Sequence, residues 1–242
     1  MVNILLVDDH PLVRDQLRAV VESEKDLRIC GETEDGHHAL SVISATKPGL
    51  AIVDLTLKRS SGFDLIKEIH QRHPKLPVLV LSMHDEALYA ERSLQAGARG
   101  YVMKQQETDI LLEAIRQVLR GKVYLSERVR DTIVNRIGGN VNEDKSASLA
   151  QRLSNRELEV FQLIGDGYAT HEIARRLHLS AKTVASHREH IKEKLNLRTG
   201  EELARFAIHW LRYRTPDVDA TLAPRPTAEK PPKSRPSKAA AR

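Results

Sequence analysis

Ile4-Leu5-Leu6-Val7-Asp8-Asp9 decides the fold: a short apolar run, too brief for a helix and too continuous for a strand with one wet face, leads into two carboxylates. The same punctuation recurs three times. Leu50-Ala51-Ile52-Val53 ends at Asp54, Val78-Leu79-Val80-Leu81 at Ser82, and Tyr101-Val102-Met103 at Lys104. Each run reads as a buried parallel strand, and in an open parallel sheet the carboxyl ends of the strands share one edge. Residues distant in sequence therefore converge there. Three carboxylates, a hydroxyl and an ammonium along one edge suit a divalent metal and a phosphoryl group.

Amphipathic segments lie between and after these runs: Leu12 to Glu22, Gly36 to Thr46, Phe63 to Arg72, Glu86 to Ala96 and Asp109 to Arg120. In the last, Ile110, Leu111, Ala114, Ile115, Val118 and Leu119 recur at helical spacing. With Leu27 to Gly31 as a further strand, five strands alternate with five helices. The expected class is α/β, a flavodoxin-like doubly wound sheet of five parallel strands over residues 1–124.

At 242 residues and 40% apolar content, the chain suits two small domains. Cys30 is its one cysteine, which excludes a disulfide framework; its apolar setting predicts a buried small hydrophobe. No apolar run approaches the roughly 18 residues of a membrane span, and no basic-then-apolar leader precedes the first strand. The expectation is a soluble cytoplasmic protein with no membrane partner.

The net charge of +5 is unevenly spread. Residues 1–125 carry 16 Lys and Arg against 18 Asp and Glu, residues 149–214 carry 12 against 8, and residues 215–242 carry 6 against 3. The basic excess sits wholly in the C-terminal part, which points to a nucleic-acid partner there.

After Tyr124 the pattern changes. Ser126 to Ile137 suits one more amphipathic helix, and Gly138 to Ser148, rich in turn formers, reads as a flexible linker, so that residues 125–149 separate two domains. Four short helices are expected over 150–214. Ser154-Asn-Arg-Glu157 and Thr199-Gly-Glu-Glu202 are capping boxes, and Thr170 and Ser180 are candidate N-caps. The middle pair, His171 to His178 and Ala181 to Leu195, forms a helix-turn-helix. In its second helix Val184, Ile191 and Leu195 face the core, while Lys182, Ala185, Ser186, Glu189, His190 and Glu193 face outward. Small and polar residues early on the outer face suit a major groove, and Arg188, Lys192, Lys194 and Arg198 suit phosphates.

These motifs carry a resemblance. Val7-Asp-Asp-His-Pro-Leu-Val-Arg14, Val53-Asp54-Leu, Leu81-Ser82-Met and Ala98-Arg-Gly-Tyr-Val-Met-Lys104 resemble the receiver domain of bacterial response regulators. Leu153-Ser-Asn-Arg-Glu157, Glu172-Ile-Ala174 and Ser180-Ala-Lys-Thr-Val-Ala-Ser-His-Arg188 resemble a LuxR-type helix-turn-helix. Together they are similar to the NarL/FixJ family of two-component transcription regulators.

The resemblance implies roles. Asp54 would accept a phosphoryl group from a sensor histidine kinase. Mg²⁺ would be held by the Asp9 and Asp54 carboxylates and the Thr56 backbone carbonyl, with Asp8 acting largely through water. Lys104 and Ser82 would contact phosphoryl oxygens, and Tyr101 would be the aromatic switch. Lys182, Thr183, Ala185, Ser186, Arg188, Glu189 and Lys192 would meet double-stranded promoter DNA. The receiver would mask the recognition helix until phosphorylation released it to dimerise through Glu201 to Arg212, with RNA polymerase as a further partner. The chain would be no enzyme beyond its own phosphoryl transfer.

Each residue also has a plainer use. Asp8 and Asp9 are good helix caps, a lone Asp54 or Ser82 is ordinary in a loop, Lys104 is ordinary on a surface, and Tyr101 is ordinary in a core. Their joint occurrence at strand ends outweighs this. His10, His37, His38, His70, His73 and His84 lack metal-ligand spacing and receive no role. The loop Leu55-Thr-Leu-Lys-Arg-Ser-Ser-Gly62 lacks the proline often found in the family, and Ala185 and Glu189 stand where some members carry basic groups. The Pro-, Lys-, Arg- and Ala-rich segment 215–242 cannot form a core. A phosphatase of the Asp-x-Asp type is disfavoured by Asp8-Asp9-His10; a passive receiver-like dimerisation module is the alternative reading.

Overall fold

A computed structural model of the chain describes residues 1–57, 60–137 and 152–212. The expected linker from Gly138 to Ser148 and the tail 215–242 lie outside these residues. Five strands, β1 (Val2–Val7), β2 (Leu27–Thr33), β3 (Leu50–Val53), β4 (Val78–Ser82) and β5 (Gly100–Met103), form an all-parallel sheet in the order β2-β1-β3-β4-β5. They alternate with α1 (Pro11–Glu22), α2 (Gly36–Thr46), α3 (Gly62–Arg72), α4 (Glu86–Ala96) and α5 (Thr108–Leu119).

The apolar runs are continuous because both sheet faces are covered, and successive side chains go to opposite sides. Ile4, Leu6, Leu50, Ile52, Leu79 and Leu81 pack with Leu17 and Val21 of α1 and Leu111, Ile115 and Val118 of α5. Leu5, Val7, Ala51, Val53, Val78 and Val80 belong to a second cluster with residues of α2, α3 and α4. The strand order reverses at β1, which lies between β2 and β3, so the ends of β1 and β3 flank the crevice where such sheets bind ligands.

Helix α6 (Glu127–Ile137) rests on α4, with Ser126 Oγ donating to Glu86 Oε1 at 2.6 Å and Val129 buried. The C-terminal domain follows as α7 (Asn155–Gly165), α8 (Thr170–Arg176), α9 (Ala181–Leu195) and α10 (Gly200–Arg212). Both expected capping boxes are present: Glu157 N donates to Ser154 Oγ at 3.3 Å and Ser154 N to Glu157 Oε2 at 2.7 Å, and Glu202 N donates to Thr199 Oγ1 at 3.1 Å. Thr170 is not a cap. Helix α8 starts one residue earlier than the hydroxyl pattern implies, and Ala169 takes the N-cap position with its amide bonded to Glu172 Oε2 at 2.9 Å. A Cβ on Gly165 would stand 2.8 Å from the Ala207 carbonyl oxygen, so glycine permits the close α7–α10 crossing. Cys30 is only half-buried, with Sγ 3.5 Å from Ile4 O and Thr46 Oγ1, because β2 is an edge strand.

The two domains are docked. Tyr89 on α4 donates its hydroxyl to Gln162 Oε1 at 2.8 Å in a buried contact, and Arg92 reaches Asn155 Oδ1 at 2.5 Å and Leu153 O at 2.8 Å. His178, at the turn into α9, brings Nε2 to 3.4 Å from Asp9 Oδ2. The receiver thus grips α7 and the turn before α9. It does not bury the outer face of α9: Lys182, Thr183, Ala185, Ser186 and Glu189 are exposed. The docking surface lies on the first helix of the domain and on the turn before α9, so the expected masking does not take the form of burying the outer side chains of α9.

Candidate functional site

Backbone pairing fixes the site. Asp54 N donates to Val7 O at 2.8 Å, registering the ends of β1 and β3, and Lys104 N donates to Ser82 O at 2.8 Å, registering β4 and β5. Gly62 closes the β3–α3 loop with its amide on Leu55 O at 2.9 Å; a Cβ there would lie 2.1 Å from the Asp54 carbonyl oxygen. Only glycine lets α3 begin so close to the acceptor strand.

At the edge, Lys104 Nζ is 2.6 Å from Asp8 Oδ2 and 2.7 Å from Asp54 Oδ2. Asp8 Oδ1 accepts the His10 amide at 2.9 Å. That leaves Asp9 Oδ1 and Asp54 Oδ1, both buried and accepting no hydrogen bond. Two buried carboxylate oxygens that accept no hydrogen bond cost stability unless a cation joins them, whether the nearby His10 ring at Asp9 or a metal ion. Asp8, Asp9, His10 and Asp54 each place one ligand atom within 4.8 Å of the others. The oxygen-rich donor set fits a hard divalent ion, with Asp9 and Asp54 presenting the available oxygens.

Electrostatics agree with a site awaiting positive charge. Burial pushes the Asp54 carboxyl from 3.8 up to about 6; Lys104 opposes the rise and Asp8 adds to it. Burial works to lower the Lys104 ammonium, but the Asp54 and Asp8 carboxylates outweigh it and hold the amine above its ordinary value. Ser82 is fully buried, and its Oγ accepts the His84 amide at 3.4 Å. Tyr101 lies inside the fold, its hydroxyl donating to His84 O at 2.8 Å, and burial pushes its phenol far up. Thr56 is beside the acceptor with Oγ1 3.0 Å from His84 Nε2, while Lys58 and Arg59 of the same loop lie outside the described residues.

Three histidines that sequence reading leaves without a role, or does not single out, are at this site. His84 links Thr56, Ser82 and Tyr101 and stacks on Tyr89 with ring centroids 4.6 Å apart; burial lowers its basicity. The signal was its place two residues past Ser82. His10 brings Nδ1 to 2.7 Å from Asp9 Oδ1 and 3.2 Å from Asp8 Oδ1. Its adjacency to two aspartates was the only trace. His178 carried no signal, because its contact with Asp9 is made between domains.

The second surface is α9. Ser180 caps it, accepting the Thr183 amide at 3.0 Å, and Val184 and Ile191 anchor its inner side. Lys182, Thr183, Ala185, Ser186 and Glu189 face solvent, Arg188 is half-buried, and Lys192 pairs with Glu189 at 2.8 Å. The structure thus separates an acid pocket at one sheet edge from an exposed helix on the other domain.

Comparison with known proteins matches this division. Residues 4–116 match the response regulator receiver domain, and residues 151–207 match the bacterial regulatory proteins of the luxR family. The chain is 30% identical over 227 residues to the transcriptional regulatory protein DegU of Brevibacillus brevis, covering 88% of this chain and 96% of that one. It is 33% identical over 208 residues to the oxygen regulatory protein NreC of Staphylococcus carnosus, covering 85% and 96%. Among solved structures it resembles RcsB from Salmonella enterica serovar Typhimurium, bound to promoter rprA in the presence of the phosphomimetic BeF3-. There the identity is 27%, the TM-score 0.57 and the coverage 86% of this chain and 98% of that one.

Proposed function

The chain belongs to the NarL/FixJ-type two-component response regulators, which join a receiver to a LuxR-type DNA-binding domain, and from that premise we propose that phosphorylation of Asp54 controls its binding to promoter DNA. One observation carries the reading: a buried carboxylate at the end of the central strand β3, 2.7 Å from Lys104 and with one oxygen unclaimed, sits on the same chain as an exposed recognition helix.

The donor is a phosphohistidine on a sensor kinase. The ionised Asp54 attacks phosphorus, the N–P bond of the donor breaks as the acyl phosphate forms, and charge spreads over the phosphoryl oxygens. Mg²⁺ held by Asp9, Asp54 and the Thr56 carbonyl, with Asp8 acting through water, supplies the neutralising charge when bound. Lys104 takes one phosphoryl oxygen and Ser82 another. Contraction of Ser82 towards the phosphoryl group shifts His84 and Tyr101, whose hydroxyl is bonded to the His84 carbonyl. Since His84 stacks on Tyr89, the same shift reaches the contact with Gln162. Phosphorylation thereby favours the undocked arrangement, because the two arrangements differ in contacts with this relay.

The freed domain pairs through α10 and reads two half-sites with α9, in contact with RNA polymerase at the promoter. The protein works in the cytoplasm and turns over no external substrate. Incubation with a small phosphodonor and Mg²⁺ tests this. Label on wild type, none on Asp54→Ala, and sedimentation of the labelled form as a dimer with higher promoter affinity are expected. Equal promoter binding by both proteins would favour a passive receiver-like module, and turnover of the donor without retained label would favour a phosphatase.

A further inference from the structure

We infer that His10 is a nitrogen ligand of the acid pocket, so that this chain offers a mixed imidazole–carboxylate site to a borderline transition ion such as Mn²⁺ as well as an oxygen site to Mg²⁺. The inference rests on the assignment of Asp9 and Asp54 as metal ligands and extends it by one residue. Its basis is geometric. His10 Nδ1 lies 2.7 Å from Asp9 Oδ1 and 3.2 Å from Asp8 Oδ1. For metal–ligand bonds of about 2.1 Å, neighbouring ligands of an octahedron stand about 3.0 Å apart and opposite ones about 4.2 Å. The two spacings at His10 bracket the distance between adjacent ligands, and one ligand atom from each of Asp8, Asp9, His10 and Asp54 lies within 4.8 Å of the others.

His10 stands within hydrogen-bond reach of Asp8 and ion-pair reach of Asp9. The His10 ring is aligned with Asp8 Oδ1 at 3.2 Å, whereas Asp9 Oδ1 is closer, at 2.7 Å, and accepts no hydrogen bond. A metal ion bound in place of the Nδ1 proton would join His10 to Asp9 Oδ1 and Asp54 Oδ1, the two buried carboxylate oxygens that accept no hydrogen bond. Lys104 does not serve these two oxygens, because it takes the Oδ2 atoms of Asp8 and Asp54. The His10 side chain is 59% exposed, so with Nδ1 on the metal its Nε2–H is free to meet water, and the ion can enter and keep its own waters on that side.

Imidazole favours borderline ions over Mg²⁺, which prefers oxygen. The test uses full-length protein. Pulsed electron paramagnetic resonance of bound Mn²⁺ should show ¹⁴N coupling from an imidazole in wild type and none in His10→Ala, an exposed substitution that leaves the core intact. Calorimetry should show Mn²⁺ affinity falling about tenfold in His10→Ala and Mg²⁺ affinity changing by less than about threefold. Absence of nitrogen coupling, its survival in His10→Ala, or equal loss of both ions overturns the inference. Acyl phosphate formed with Mg²⁺ in the same preparation would show that Asp54 still works and that only His10 was misassigned; failure of both metal binding and labelling would remove the underlying reading too.

Discussion

Asn in place of Asp54 should stabilise the receiver in metal-free buffer at neutral pH, although it removes the central functional group. The carboxyl titrates near 3.8 when unfolded and near 6 when folded, because burial outweighs Lys104. Well below pH 3.8 both states carry the proton. As pH climbs from about 4 to about 6 the unfolded carboxyl ionises first, so folding stability is lost across that window and the penalty stays constant above it. The rise corresponds to about 3 kcal/mol. Asn is shaped like the protonated acid and escapes the penalty. Because the unfolded chain retains some structure and Asn alters local contacts, about 1–3 kcal/mol should be recovered. At a urea slope of about 2 kcal/mol per molar, the midpoint of receiver unfolding should rise by about 0.5–1.5 M at pH 7.5. The advantage should shrink to about 0.5 kcal/mol at pH 4, where the folded wild type is protonated and the unfolded chain only partly ionised. Saturating Mg²⁺ should stabilise wild type more than Asp54→Asn. No gain at pH 7.5, or a gain of equal size at pH 4, would refute the burial argument.

Three further outcomes follow from particular contacts. Tyr89→Phe keeps the ring but leaves the Gln162 carbonyl oxygen buried without that donor, at a cost of about 1–3 kcal/mol to docking; energy transfer between labels on the two domains should report an opening equilibrium raised about fivefold to a hundredfold. Gly62→Ala forces a Cβ to 2.1 Å from the Asp54 carbonyl oxygen, so thermal unfolding should show a loss of at least about 1–3 kcal/mol, together with reduced labelling of Asp54. Glu189→Ala removes a charge that repels phosphate and frees Lys192; nonspecific DNA affinity should rise, and the slope of log affinity against log salt should steepen by about one.

The strand ends were legible because a doubly buried parallel strand has no room for polar residues except where it terminates. Asp54, Ser82 and Lys104 each interrupt an apolar run, and the sheet did bring them together with Asp8 and Asp9. Helix bounds were legible where a capping side chain marks them, as at Ser154 and Thr199. They slipped at Thr170, where the Glu172 side chain alone makes the cap and alanine suffices before it. His10 was passed over because it directly adjoins Asp8 and Asp9, without the helical or hairpin spacing by which ligand pairs are recognised in sequence, and the remaining carboxylate, Asp54, comes from another strand. The His178–Asp9 contact and the docking on α7 were illegible for a related reason. Hydrophobic periodicity shows which face of a helix is buried, not which domain buries it. The long apolar side of α7, with Gln162 and Glu159 also buried, serves both its own bundle and the receiver.

The exposed face of α9 changes what kind of control the docked molecule can exert. The receiver claims atoms of α7 and of the turn before α9, and leaves the outer side chains of α9 in water. Docking and DNA contact form a square of four states, and the docked receiver holds that turn while those side chains stay in water. Discrimination then has to come from counting: a single protomer offers one half-site's worth of contacts, and only pairing multiplies them. On the proposed function, contrast between silent and active promoters rests on how steeply the chain pairs, a property that expression level can tune without altering a residue.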